Sequence, residues 1–193
     1  MTQLLRLSGV TLRRGGRLLL EGLDVGLAAG EALHLSGPNG SGKSSLIRLI
    51  AGLLRPDVGH VDKAAAALAD DALALDRELP LGRALAFWTR LAGTTSRLDE
   101  AMEAIGIAHL ADVPVRLLSA GQAKRAALAR VAASGAPLWL LDEPLNALDS
   151  DGVARLDALI ARHRASGGAV VAASHSALDG EWRRLQLGQG VIA

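Results

Sequence analysis

The chain has 193 residues and a formal net charge of +1; half of the residues are hydrophobic, 2% are aromatic, and there is no cysteine. This balance excludes a disordered or fibrous chain, and the missing cysteine excludes disulfides, zinc fingers, c-type haem attachment and thiol catalysis. A near-neutral charge predicts no nucleic-acid partner, and no apolar stretch approaches the ~20 residues that span a bilayer.

The segment Met1–Val10 lacks a basic stretch followed by an apolar run, so no secretory signal is expected and the chain reads as soluble and intracellular. Leu4–Val10 alternates as a strand, Arg13–Arg17 is a basic turn around Gly15-Gly16, and Leu18–Leu27 is a further strand. Glu31–Ser36 is a short apolar strand leading into a glycine-rich loop, after which Lys43–Leu53 has helical spacing ended by Gly52 and Pro56. Val58–Val61 resembles a turn between edge strands, and Ala64–Ala69 leans to strand. Helices are expected over 79–91, 98–105, 117–133 and 150–164. Leu138–Leu141 and Ala169–Ala173 are fully apolar and predict buried parallel strands. The tail, 183–193, predicts two short strands around Gly188-Gln189-Gly190. No linker or charge block divides the chain, so one α/β domain is expected over 1–193, with a helical insert at about 76–133.

Two segments carry chemistry. Gly37-Pro38-Asn39-Gly40-Ser41-Gly42-Lys43-Ser44, followed by Ser45, lies between a strand and a helix and matches a phosphate-binding loop. Small residues let successive backbone N–H groups cradle phosphate oxygens, and the following helix aims its N-terminal dipole at the same charge. Lys43 would reach the β- and γ-phosphates and Ser44 would complete a Mg²⁺ shell. Downstream, the strand Leu138–Leu141 ends in Asp142-Glu143. Asp142 is placed to hold Mg²⁺ through water, and Glu143 to polarise an attacking water as general base.

Between them stands Leu118-Ser119-Ala120-Gly121-Gln122. In this order and spacing the chain resembles the ATP-binding subunits of ABC transporters, whose signature is close to Leu-Ser-Gly-Gly-Gln. The resemblance implies a P-loop ATPase fold with a mixed core sheet and flanking helices, an N-terminal antiparallel β subdomain and a helical signature subdomain. It implies ATP with Mg²⁺, Ser119, Gly121 and Gln122 acting on ATP bound to an opposing copy, and Asp149 in a loop along the interface of a homodimer. His175, after Ser174, resembles the switch histidine that contacts γ-phosphate and holds Glu143 and its water. Val113–Gln122, Ala127–Arg130, Leu138-Trp139 and Gly152–Leu156 are similar to the ATP-binding subunit of the haem-export system of cytochrome c maturation. That likeness implies a peripheral subunit on the cytoplasmic face of the inner membrane, docked on integral membrane transporter subunits.

Three positions depart from the family pattern. There is no tyrosine to stack on adenine, so Arg13 or Arg14 either stacks its guanidinium on the base or is merely solvated in a turn. No glutamine lies between Gln3 and Gln122, where the family couples Mg²⁺ to its membrane partner; Asp70 or Asp71 sits near that place. The helical insert is short, which implies a reduced docking surface. A soluble non-transport ABC ATPase and a nucleotide-binding regulatory module with little turnover are the rival readings.

Overall fold

Leucine and valine recurring along two long segments make an antiparallel ribbon, β1 (Gln3–Arg14) and β2 (Arg17–Ala28). Gly15 and Gly16 both have positive φ and form its two-residue turn, the type I′ geometry that suits the twist of a hairpin. A third strand, β4 (Val58–Lys63), pairs antiparallel with the other edge of β1. The sequence expectation of a turn at 58–61 is therefore wrong. Gly59 marks a bulge in a strand: its φ is +89°, and a Cβ there would lie 2.4 Å from the Gly9 carbonyl oxygen. A glycine inside a strand often signals such a close backbone approach.

The central sheet has the order β5-β6-β7-β3-β8, with β3 (Ala32–Ser36), β5 (Ala66–Ala69), β6 (Leu138–Asp142), β7 (Ala169–Ala173) and β8 (Arg183–Gln186). β6, β7, β3 and β8 run parallel. Every residue of β6 and β7 is buried, as their unbroken apolar runs predict. Helix α1 (Lys43–Ala51) packs on β6 and β7, and Leu46, Ile47 and Ile50 are fully buried. Each such side chain contributes ~1.5–3 kcal/mol when removed from water. The remaining helices are α2 (Leu81–Ala92), α3 (Leu98–Ala104), α4 (Ala120–Ala133) and α5 (Ser150–Ala165).

This computed structural model describes residues 2–188, so the second tail strand expected beyond Gly188 lies outside the described residues. The chain divides into two compact units. One comprises the chain up to Leu68, Pro137–Glu143 and the chain from His163 onward; the other comprises Ala69–Ala136 and Pro144–Arg162. The second unit thus contains the helical insert expected at 76–133 and extends beyond it. Among the described residues no helix is long and apolar enough to cross a membrane.

Candidate active site

In the first unit, the junction of β3 and α1 is shaped by backbone that a side chain would obstruct. Gly37 has φ +141°, and a Cβ there would meet the Leu187 carbonyl oxygen at 2.3 Å and Ser41 Oγ at 2.9 Å. Gly42, at φ +104°, precedes α1 without a side-chain cap, and the first helical turn carries no acidic residue. The positive end of the helix dipole is therefore left for an external anion. Lys43 is buried, and its Nζ donates to the carbonyls of Gly37 at 2.7 Å and Pro38 at 3.2 Å, arching over the loop. Ser41 Oγ is also buried and has no hydrogen-bond partner among the described residues. A buried orphan hydroxyl beside a lysine ammonium fits phosphate oxygens. Pro38, Asn39 and Gly40 are exposed, while Ser44 and Ser45 open α1 half-buried.

Beside this loop, the Ser44 hydroxyl donates to Asp142 Oδ1 at 3.0 Å. This couples the start of α1 to the end of β6. Glu143 follows with φ +46°, an unfavourable left-handed conformation for a side chain and doubly unusual before Pro144. Its N–H still bonds the Ala173 carbonyl at 2.9 Å, so its backbone is tied to β7. His175, just past β7, places Nε2 3.2 Å from Glu143 Oε1; the histidine side chain is 49% exposed and the glutamate 17%. The sequence-predicted Lys43, Ser44, Asp142, Glu143 and His175 thus all fall in this one unit. Ser44 and Asp142 supply a hydroxyl and a carboxylate, hard oxygens that suit Mg²⁺. No cluster of three or more His, Asp or Glu able to cage a metal occurs among the described residues. Mg²⁺ ordinarily takes few protein ligands and completes its shell with substrate phosphates and water, so the donor set fits.

The second unit holds the other predicted residues. Ser119 caps α4 in a reciprocal box: Gln122 N–H donates to Ser119 Oγ, and Ser119 N–H donates to the Gln122 side chain at 2.9 Å. Gly121 is required by packing, because a Cβ would come 2.7 Å from the Ala147 carbonyl oxygen, and Ala147 is itself at φ +63°. Asp149 accepts the Gly152 N–H at 2.9 Å and a hydrogen bond from Arg125. The Gly152 amide first, and Arg125 second, hold its carboxyl below the usual carboxylate range. Ser119, Gly121, Gln122, Arg125 and Asp149 line one cleft of about 420 Å³.

Sequence reasoning missed two contacts. The arginine that approaches the phosphate loop is Arg17: a Cβ on Gly40 would meet its Nη1 at 4.0 Å. Arg13 and Arg14 are exposed at the same hairpin, and the two-residue turn that pairs Arg14 with Arg17 was the available signal. Asp71 pairs with Lys124 at 3.3 Å, while Asp70 Oδ1 accepts the Ala72 N–H. Asp71 is thus engaged within the second unit.

Residues 20–146 match the ABC transporter family model. The chain is 57% identical over 180 residues to a "cytochrome c biogenesis ATP-binding export protein CcmA" of Sphingopyxis alaskensis, covering 92% of this chain and 93% of that protein. The chain belongs to the ABC transporter family, in its CcmA group. This ABC ATPase shares its fold with an ABC transporter ATP-binding protein from Pyrococcus furiosus (TM-score 0.82, 22% identity, 95% of this chain and 96% of that one). It also matches a dimeric ATP-binding cassette in a post-hydrolysis state bound to ADP and Pi (TM-score 0.79, 23% identity, 90% and 88% of the two chains). It is accordingly an ATP-binding and ATP-hydrolysing subunit.

Proposed function

We propose that this ABC ATPase drives haem export for cytochrome c biogenesis, as a homodimer on the cytoplasmic face of the inner membrane, docked on integral membrane subunits. The name carried by its 57%-identical relative supports the pathway, and the likeness of Val113–Gln122 to haem-export subunits supports the cargo. The single observation that carries the catalytic reading is the Glu143–His175 contact at 3.2 Å, one residue beyond the Ser44–Asp142 hydrogen bond.

The roles follow from that geometry. Residues Gly37–Ser45 bind the triphosphate, with Lys43 moving its ammonium from loop carbonyls to phosphate oxygens. Ser44 and Asp142 hold Mg²⁺, which when bound neutralises charge on the β- and γ-phosphates. Glu143 takes a proton from the attacking water, and His175 orients the Glu143 carboxylate and contacts γ-phosphate. Ser119, Gly121, Gln122 and Asp149 act on the nucleotide of the opposing copy. The dimeric, fold-related cassette bound to ADP and Pi supports this arrangement. Both units belong to one ATP-binding domain. We assign the membrane-facing contact to α2, where Phe87 and Leu91 are 54% and 72% exposed and Phe87 borders a cleft of about 530 Å³. Phe87 and Leu91 stand four residues apart on one helix face, and a contiguous apolar patch is what marks a protein contact surface.

A test is replacement of the chromosomal copy by Lys43→Ala. The variant should abolish covalent haem attachment to c-type cytochromes, read by haem staining, while the protein accumulates normally. Normal staining would overturn the haem-export reading.

A further inference from the structure

We propose that His34 is a positioning residue for the catalytic pair, setting the place of His175 through the carbonyl of Ser174. The proposal rests on the role given above to His175. His34 lies on β3, 5% exposed, and its Nε2 donates to the Ser174 carbonyl at 3.0 Å. Ser174 is 2% exposed and is held at two further points: its N–H bonds the Leu35 carbonyl at 3.3 Å, and its Oγ accepts the Ser176 N–H at 3.1 Å. A buried histidine bonded to a carbonyl is often no more than a satisfied core residue. Here the bonded carbonyl belongs to the peptide that leads into His175, the exposed group that meets Glu143.

Register explains why this bond matters. β3 and β7 are parallel neighbours, with His34 opposite Ala172 and Leu35 opposite Ala173. β3 delivers the chain to Gly37 and the phosphate loop, while β7 delivers it to His175. Both active segments begin where their strands end, and the Ser174 N–H to Leu35 bond carries the ladder only one residue past β7. The His34 bond adds a side-chain link at that last residue, on the peptide that enters His175, and fixes the height of His175 relative to the loop. The imidazole is itself braced: Trp182 meets it edge-on, with centroids 6.4 Å apart, and Trp182 Nε1 donates to the Asp179 carbonyl at 2.8 Å.

The experiment compares steady-state ATP hydrolysis by the full chain carrying His34→Leu, His34→Gln, His175→Ala and His34→Leu/His175→Ala. Leucine removes the donor, whereas the glutamine amide can reach where Nε2 stood. His34→Leu should lower kcat about tenfold with KM for ATP changed less than about twofold, the scale of one lost hydrogen bond in the transition state. His34→Gln should restore most of the rate. The double variant should be no slower than His175→Ala alone, because both changes remove one function. If His34→Leu does not fold, His34→Asn takes its place: its amide falls short of the carbonyl and should be slow where glutamine is not. A wild-type rate in His175→Ala would reject the reading of His175. A slow His175→Ala combined with a wild-type rate in His34→Leu, or with multiplicative losses in the double variant, would reject the role of His34 alone.

Discussion

Glu143 holds a left-handed backbone directly before Pro144, at a cost of about 1–3 kcal/mol for such a conformation. The N–H bond to Ala173 and the contact with His175 hold it there, and the result aims a partly buried carboxylate at the phosphate loop's end of the sheet. For base recognition we propose a different chemistry. The chain has no tyrosine, and three arginines flank the β1–β2 turn, with Arg17 nearest Gly40. A guanidinium over a base contributes ~0.5–2 kcal/mol and is tolerant of the base, so GTP should displace a fluorescent ATP analogue within about tenfold of ATP itself. A hundredfold preference for ATP would show that another group reads adenine. His163 is a separate case. Its ring stacks on Trp139 with centroids 3.9 Å apart, its Nε2 lies 3.2 Å from the Pro137 carbonyl, and burial pushes its pKa below the ordinary value. The unfolded chain therefore takes up this proton before the folded one does. Stability from this group is complete above the ordinary histidine pKa of ~6.5 and is lost as pH falls below it. His163→Phe should flatten the fall in Tm between pH 7 and pH 5; equal slopes in both proteins would refute the assignment.

The start of α4 shows how one element serves packing and chemistry together. Ser119 and Gln122 satisfy each other's backbone amides, and Gly121 admits the Ala147 carbonyl. Ser119→Ala should cost about 1 kcal/mol, the usual worth of such a cap, visible as a lowered urea midpoint. Gly121→Ala should be worse for turnover than for global stability, because its Cβ would displace the loop that carries Asp149. Hydrolysis at the wild-type rate in Gly121→Ala would contradict that account. Most of these elements were legible in the sequence. The apolar runs of β6 and β7 and the glycines around α1 each state their local physics directly. β4 was not legible, since its exposed residues show no alternation and its partner, β1, lies far away in the chain. The catalytic loop was legible as a motif, and the family resemblance placed His175 beside Glu143, but the approach of Arg17 depends on which strands lie side by side. The ion pair of Asp71 with Lys124 depends equally on the packing of the second unit.

At the scale of the molecule, the two halves of the chemistry lie in different compact units. The phosphate loop, Asp142, Glu143 and His175 belong to the first, and Ser119, Gly121, Gln122 and Asp149 to the second. On the function proposed above, a nucleotide shared between two copies would account for this division, each copy offering its first unit to one ATP and its second unit to the other. We propose that ATP binding closes the pair and that loss of the γ-phosphate opens it. Glu143→Gln keeps the shape and hydrogen bonding of the side chain but removes the base, so hydrolysis should fall by ~10²–10⁴ while binding persists. The closed pair should then accumulate. The decisive measurement is size-exclusion chromatography with light scattering on Glu143→Gln in ATP and Mg²⁺. The account predicts a dimer for the variant with ATP, a monomer without nucleotide, and mainly monomer for the wild type once its ATP is consumed. A variant that binds ATP yet stays monomeric, or that hydrolyses ATP at the wild-type rate, would contradict it.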